Sequence, residues 1–418
     1  MPGPLFRRSQ LEAPPKIRYD NCEAAASWEI WERDLHAPLH SAARGLIVAS
    51  THTARADEAI EEIATAVDAE ALAGGILFCS SRYPREDLAK AIAARLGGFT
   101  LVGCTSAGEI TPRGYDSDSL QFMGFPKDSF SFKTLAFTDL DGFDRDEAKR
   151  QIRHLVANAR QEARARGNDA HQAALFLVDG LSHREELLTM TVQEALGDIP
   201  LIGGSSGDGL SFSETGVLCG GEFRSGTAVI VILTSARALH VFSESYYQPS
   251  SAKMVVTLAD PEKRIIHEIN ALPAADEYRR LAGAPGAILD TAFFAAHPPM
   301  VRMGGAYHVR SIQSANPDGS LTFYGAVDRG IVLTIGEPVD RIAQLTAFFD
   351  GLKQEVGEID HVLGFDCVLN RIDAETRQIT RKVSEIYAQN RVVGFNTYGE
   401  QYRAAHLNQT FTGLVIGR

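Results

Sequence analysis

A nine-residue pattern that occurs three times constrains this chain more than anything else in it. Leu101-Val-Gly-Cys-Thr-Ser-Ala-Gly-Glu109 returns one hundred residues later as Leu201-Ile-Gly-Gly-Ser-Ser-Gly-Asp-Gly209. It returns again as Val392-Val-Gly-Phe-Asn-Thr-Tyr-Gly-Glu400, with Val102, Gly103, Gly108 and Glu109 matched at a constant offset of 291. Each copy is an apolar run that breaks into glycines and small hydroxylated residues. A buried strand reads this way when it ends in a loop whose backbone must approach something closely.

The hundred-residue repeat is longer than the loop. Aligned without a gap, 86–106 and 186–206 share Glu86, Leu88, Leu96, Gly97, Leu101, Gly103 and Ser106. Residues 45–50 and 75–79 read as buried strands, and 57–72 and 85–96 as helices. Leu88, Ile92 and Leu96 form one stripe, and Gly97-Gly98 stops the helix. Such alternation predicts right-handed βαβ units and a parallel sheet. Strand-like segments follow each of the first two copies, at 119–125 and 130–137, then at 215–219 and 228–234. A long helix at 145–166, closed by Gly167, separates them. Residues 44 to about 245 therefore read as a duplicated βαβ-ββ unit.

A second α/β domain follows. Its expected elements are a strand at 253–258, a helix opening at Asp260-Pro261, and a cleanly alternating strand at 307–313. The turn Asn316-Pro-Asp-Gly319 joins that strand to 321–324 as a hairpin. A helix near 341–351, a strand at 362–369, a helix at 376–389, the third glycine loop and a strand at 411–416 complete the chain. The predicted class is α/β, with an extension over 1–42, a first domain over 44–247 and a second over 253–418. Trp28 and Trp31 mark a short amphipathic helix in the extension, expected to pack on the body.

Composition narrows the function classes. A net charge of −12 without a basic face argues against nucleic acid. Five scattered cysteines, at 22, 79, 104, 219 and 367, fit reduced thiols better than a disulfide frame. No apolar run approaches the ~18 residues of a membrane span, and no signal peptide is evident. A cytoplasmic protein is expected.

Ligands collect beyond the carboxyl ends of parallel strands, where the three glycine loops and Asp179-Gly180 sit. Their free N–H groups, with Ser205, Ser206, Thr397 and Tyr398, offer polar contacts. Gly203-Gly-Ser-Ser-Gly207 satisfies the G-x-S-x-G pattern of a hydrolase, but a nucleophile elbow requires a helix directly after the serine, and here Leu210-Ser-Phe-Ser and a strand follow. A serine or cysteine hydrolase using Ser205 or Cys104 is the rival class. His308 and Arg310 share one face of their strand, a pair suited to an anion or to a haem iron and its propionate. Arg371 is a further cation at a strand end.

Taken together, Leu201-Ile-Gly-Gly-Ser-Ser-Gly-Asp208, Val309-Arg-Ser-Ile312, Asp318-Gly-Ser-Leu321, Cys367 to Arg371, Gly394 to Glu400 and Asn408-Gln-Thr410 resemble FIST sensory proteins. The resemblance spans both the N-terminal and the C-terminal FIST domain, over about 44–410. It implies a small-ligand sensor, not an enzyme, that works with a histidine kinase or a diguanylate cyclase or phosphodiesterase. The segments Asp179-Gly-Leu-Ser-His-Arg-Glu-Glu186 and Arg302 to Arg310 look most like the nitric-oxide-sensing haem branch. That likeness implies haem b held by a histidine, with His308 ahead of His183, His267 and His297. An amino acid or other small metabolite is the alternative ligand. The expected binding residues are Asp179, Ser205, Ser206, Asp208, Arg310, Arg371, Asn396, Tyr398 and Glu400, with no catalytic residue. A homodimer is an arrangement the sequence leaves open.

Overall fold

The computed structural model describes residues 45–303 and 305–418; the Trp28/Trp31 helix expected in the extension lies outside them. From Ile47 the chain runs one set of elements three times. The first pass is β1 (Ile47–Thr51), α1 (Ala56–Ala66), β2 (Leu72–Ser80), α2 (Arg85–Arg95) and β3 (Thr100–Ser106), then a hairpin of β4 (Glu109–Thr111) and β5 (Gly114–Asp116), and β6 (Leu120–Pro126). The second is β7 (Phe130–Phe137), α3 (Arg145–Arg166), β8 (His171–Val178), α4 (Glu185–Leu196) and β9 (Leu201–Ser205), the hairpin β10 (Val217–Cys219) and β11 (Glu222–Arg224), and β12 (Ala228–Ser235).

The third pass opens with β13 (Leu239–Ser245) and is then interrupted. The insertion holds β14 (Tyr247–Asp260), β15 (Ile265–Ile269), β16 (Leu272–Pro273), α5 (Ala274–Leu281), α6 (Thr291–Ala296), β17 (Pro299–Met303), β18 (Ala306–Val309), β19 (Ile312–Ala315), β20 (Leu321–Phe323) and β21 (Val332–Pro338). The repeat resumes with α7 (Arg341–Val356), β22 (Ile359–Cys367), α8 (Val368–Thr376), α9 (Thr380–Gln389) and β23 (Val392–Thr397). The hairpin β24 (Glu400–Tyr402) and β25 (Ala405–Leu407), and then β26 (Thr410–Gly417), close it.

Among the described residues the strands form four sheets, and three of them follow one plan: β1-β6-β2-β3-β10-β11, β7-β12-β8-β9-β24-β25 and β13-β26-β22-β23-β4-β5. In each, one pair is parallel (β2–β3, β8–β9 or β22–β23) and the others are antiparallel. The sheets are thus mixed, which corrects the expectation of a parallel sheet. The last strand of each repeat returns antiparallel and wedges itself between the first two.

The hairpins are exchanged in a ring. Hairpin β4–β5 of the first repeat pairs with β23 of the third, β24–β25 of the third with β9 of the second, and β10–β11 of the second with β3 of the first. The fourth sheet, β18-β17-β21-β14-β15-β20-β19 with β16 on β15, is the insertion.

Strand alternation divides the core accordingly. The inward set of the three sheets, including Ile76, Phe78, Val102, Leu175, Leu177, Val229, Val231, Phe365, Phe395 and Leu414, forms one shared cluster. The outward sets pack under helices: Leu77 and Phe122 with Ile60 and Leu88, Phe176 and Ile230 with Ile152 and Leu188, Val362 and Phe411 with Leu345 and Tyr387. At Gly103, Gly203 and Gly394 a β-carbon would fall on the carbonyl oxygen of Leu77, Phe176 or Gly364 in the adjoining parallel strand, far inside contact distance. That close approach is why the pattern holds glycine at its third position in every copy.

Helix α3 spans the predicted 145–166, with Asp144 accepting from the N–H groups of Asp146 and Glu147 and Gly167 closing it at φ 73°. Elsewhere the expectations shift. Asp260-Pro261 does not start a helix; Arg264, at φ 59°, turns the chain there into the β14–β15 hairpin. The strand expected at 362–369 ends at Cys367, where α8 begins, and the helix expected at 376–389 starts only at Thr380, parted from α8 by Gln378 at φ 58°. The alternation at 307–313 is likewise two strands, β18 and β19 at opposite edges of the sheet, parted at Arg310 and Ser311.

Candidate functional site

The three glycine loops do converge, and they bond to one another. Ala107 N–H donates to Asn396 O (2.9 Å) and Asn396 N–H to Gly108 O (2.7 Å). Ser205 N–H donates to Gly399 O (2.8 Å), Tyr398 N–H to Ser205 O (3.2 Å), and Gly207 N–H to Thr105 O (3.0 Å). The polar side chains at this junction are buried and engaged within the protein. Ser205 Oγ accepts from Gln401 Nε2 at 2.9 Å, and Ser206 Oγ from Gly180 N–H at 3.2 Å. The Asp208 carboxylate gathers the N–H groups of Phe212, Ser213 and Glu214, each at 2.8 Å, and the Tyr398 hydroxyl. Asp179 takes Leu181 N–H, Thr215 Oγ1 and Gly226 N–H. Asn396 donates to Asp366 O and accepts from Arg371, which also holds Asp116 O and Ser117 Oγ. Glu400 is held by Thr397 and Thr410.

Asp179, Ser205, Ser206, Asp208, Asn396, Tyr398 and Glu400 therefore meet at one junction with Arg371 at its side, and their hydrogen bonds tie the repeats together. Burial pushes the Cys104 thiol well above its ordinary range.

Arg310 lies elsewhere, against the β24–β25 hairpin, and its surroundings are different. Its guanidinium donates to His406 O at 3.1 Å and lies 3.6 Å from Met303 Sδ, and among the described residues no carboxylate pairs with it. Burial lowers its pKa, and only the field of Glu186 opposes this. Beside it is Asn408, 1 % exposed, with neither Oδ1 nor Nδ2 hydrogen-bonded. Gln401 Oε1 is also buried without a partner.

Gly325 is the point where these groups meet. A β-carbon there would lie 2.9 Å from Glu186 Oε1, 3.9 Å from Arg310 Cδ and 4.0 Å from Asn408 Oδ1. His406 lies beside them, its Nδ1 3.4 Å from Gln401 Nε2, and burial holds its imidazole below the usual range and so neutral. Buried polar atoms are nearly always paired, so the open Asn408 amide and Gln401 Oε1, beside a guanidinium bonded only to a carbonyl and a thioether, make this the candidate binding place.

The site sits on a seam. Arg264 of the insertion reaches α4, pairing with Glu185 (2.8 Å) and Glu186 (2.9 Å), and Ala326 N–H donates to Glu186 Oε1 at 3.1 Å. Burial works against the charge of Glu186, but the Arg264 guanidinium and the Ala326 N–H hold the carboxyl below its usual range. Aromatic rings flank the seam, with Phe212 stacked on Tyr398 at 4.6 Å and 5.9 Å from Tyr324.

Comparison with protein families fits this division of labour. The FIST N domain model matches residues 73–272 and the FIST C domain model residues 274–403. The chain belongs to the FIST family. FIST domains are sensory, ligand-binding domains of signalling proteins. No curated protein matches the chain. The FIST N match supplies Glu185, Glu186 and Arg264, the FIST C match supplies Arg310, Gly325 and Gln401, and His406 and Asn408 follow just after it.

Of the four histidines open as haem ligands, His297 stacks on Phe293 at 4.5 Å with Nδ1 3.2 Å from Phe293 O. His183 lies in the β8–α4 loop at φ 55° and His267 on β15. His308 is half-buried on β18, and burial, then the nearby Arg310, lower its pKa. Among the described residues no cluster of three or more His, Cys, Asp or Glu could hold a metal ion, and no helix is long and apolar enough to cross a membrane.

Sequence reasoning found Arg310 and quoted Glu186 and Asn408 within motifs, but did not single out Gln401, His406 or Arg264. The usable signal was that three distant motifs, at 179–186, 302–310 and 394–410, had to meet somewhere.

Proposed function

We propose that this FIST protein senses a small anionic metabolite of the amino-acid class, bound at the seam between α4, the β24–β25 hairpin and the inserted sheet. The observation that carries this reading is the half-buried Arg310 guanidinium, without a carboxylate partner among the described residues, next to the unpaired amide of Asn408. A bidentate carboxylate is the natural partner of such a guanidinium. Glu186, held ionised, suits an ammonium group on the same ligand. The ligand would touch both the three-repeat body and the insertion. It would therefore favour whichever arrangement of the two binds it better, and a partner histidine kinase or cyclic-di-GMP enzyme would read that population shift. Calorimetry of the full chain against a panel of amino acids and small carboxylates tests this. Binding that Arg310→Gln abolishes supports the reading; a panel that leaves wild type unresponsive contradicts it.

Haem-based sensing of nitric oxide is a second reading, favoured by one observation. The His308 imidazole is half-buried, kept neutral, and without a hydrogen-bond partner among the described residues, with Arg310 near enough to suit a propionate. Haem would supply an iron centre for nitric oxide; His308 would hold it and Arg310 would orient it. A Soret band on titration with haemin, lost in His308→Ala, would favour this reading over the first.

A further inference from the structure

A carboxylate on Arg310 leaves the chemistry of Asn408 unused. The Asn408 side chain is a primary amide, 1 % exposed, with its acceptor Oδ1 and its donor Nδ2 both unpaired. A polar atom left unpaired in a protein interior forfeits its hydration without replacement, so such atoms are rarely left open. A second carboxylate cannot satisfy the pair, because it only accepts and would meet Oδ1 with like charge. The group that satisfies both atoms at once presents N–H and C=O side by side, which is the edge of another amide.

Gln401 Oε1, also buried and unpaired, adds one more acceptor on the same hairpin. The Gln401 amide nitrogen lies 3.4 Å from His406 Nδ1, and His406 Nε2 and Asn408 Nδ2 lie 2.9 and 3.3 Å from a β-carbon placed on Gly399. A primary carboxamide has two N–H groups and one carbonyl, which matches two open acceptors and one open donor.

We infer that the ligand is a carboxylate that also bears a primary carboxamide, its carboxylate on Arg310 and its amide edge against Asn408, with Gln401 taking the second N–H. This rests on the anion-binding reading above. The open amide atoms are shut off from solvent. The ligand therefore enters when the 324–326 segment, tied to Glu186 by Ala326 N–H, gives way. No bond is made or broken in the ligand.

The test compares isosteres on the full-length protein. Glutamine and asparagine are titrated by calorimetry beside glutamate and aspartate, with wild type, Asn408→Asp, Asn408→Leu and Arg310→Gln. The expected result is that one amide ligand binds wild type roughly a hundredfold more tightly than its acid isostere, as sites built on paired hydrogen bonds discriminate. Both Asn408 variants erase that preference, and Arg310→Gln weakens amide and acid alike. Asn408→Leu keeps at least the wild-type melting temperature without ligand, since it removes two unpaired polar atoms, so its loss of preference is not a loss of fold. If acid and amide bind wild type equally, the amide inference is overturned while the anion reading stands. If neither binds, the anion reading itself is overturned.

Discussion

Glu109 and Glu400, 291 positions apart, occupy the same place in two repeats of the fold. Each is fully buried, each accepts from a hydroxyl three residues before it (Ser106, Thr397), and each accepts from both the N–H and the hydroxyl of a residue ten positions after it (Ser119, Thr410). The two carboxyls tie the end of the third strand of a repeat to the start of its last strand.

Burial pushes Glu400 up to about 8 and Glu109 to about 6, against the hydrogen bonds that each accepts. A carboxyl with a raised folded pKa binds its proton more tightly folded than unfolded. Its contribution is complete below the unfolded pKa of ~4.3 and is lost as pH rises through the folded value. Between pH 6.5 and 8, above the range where the neutral buried His406 opposes this trend, wild type should lose about 1.4 kcal/mol per pH unit on account of Glu400. Urea unfolding across that window should show this slope, and Glu400→Gln should flatten it and be the more stable form at pH 8.

Glycine positions should separate by what surrounds them. Gly203→Ala and Gly394→Ala drive a β-carbon into a neighbouring carbonyl and should cost more than about 3 kcal/mol. Gly351 lies in the interior of α7 with nothing within 4 Å of its would-be β-carbon. Gly351→Ala should stabilise by about 0.5–1 kcal/mol. Chemical denaturation of the three variants reads both signs.

Arg264 clamps the insertion to α4 with little solvent exposure on Arg264 or Glu185, at 7 and 4 % of their side chains. Arg264→Met leaves Glu185 buried and unpaired and should cost about 3–5 kcal/mol. A double-mutant cycle with Glu185→Gln should recover part of that loss, because neutralising the orphaned carboxylate removes most of its cause.

The exchanged hairpins should be felt across repeats. The hydroxyl of Tyr115, from the first repeat, donates to the buried Asp366 of the third, beside Arg341 and Tyr387. Tyr115→Phe removes a hydrogen bond to a charged group and should cost about 1.5–3 kcal/mol. Hydrogen exchange should show the loss in β23, which pairs with that hairpin, as well as in β5.

The sequence was legible where packing leaves a periodic mark. Leu88, Ile92 and Leu96 announced α2, and Gly167 marked the end of α3. Gly103, Gly203 and Gly394 announced the shared approach of parallel strands. Strands of three residues, such as β4, β5, β24 and β25, are too short for a period, so the ring of exchanged hairpins was invisible. The third repeat was hidden because the insertion splits β13 from β22. Asp179 and Asp208 read as ligand contacts because an aspartate at a strand end looks the same whether it binds a guest or caps its own loop. Only the hydrogen bonds from Gly226, Ser213 and Glu214 distinguish the two. Asn408 poses the converse case, since nothing in Asn408-Gln-Thr410 tells that one amide is bonded on neither side while the next, Gln409, holds Ser311 and Tyr247.

A crystal structure of the full chain grown with the tightest-binding member of the carboxylate panel tests the central claim most directly. The account predicts ligand density at the Gly325 crossing, with a carboxylate within hydrogen-bond distance of Arg310 and polar atoms on Asn408. Density anywhere else, at His308 or among the glycine loops, with Asn408 still unpaired, would contradict it.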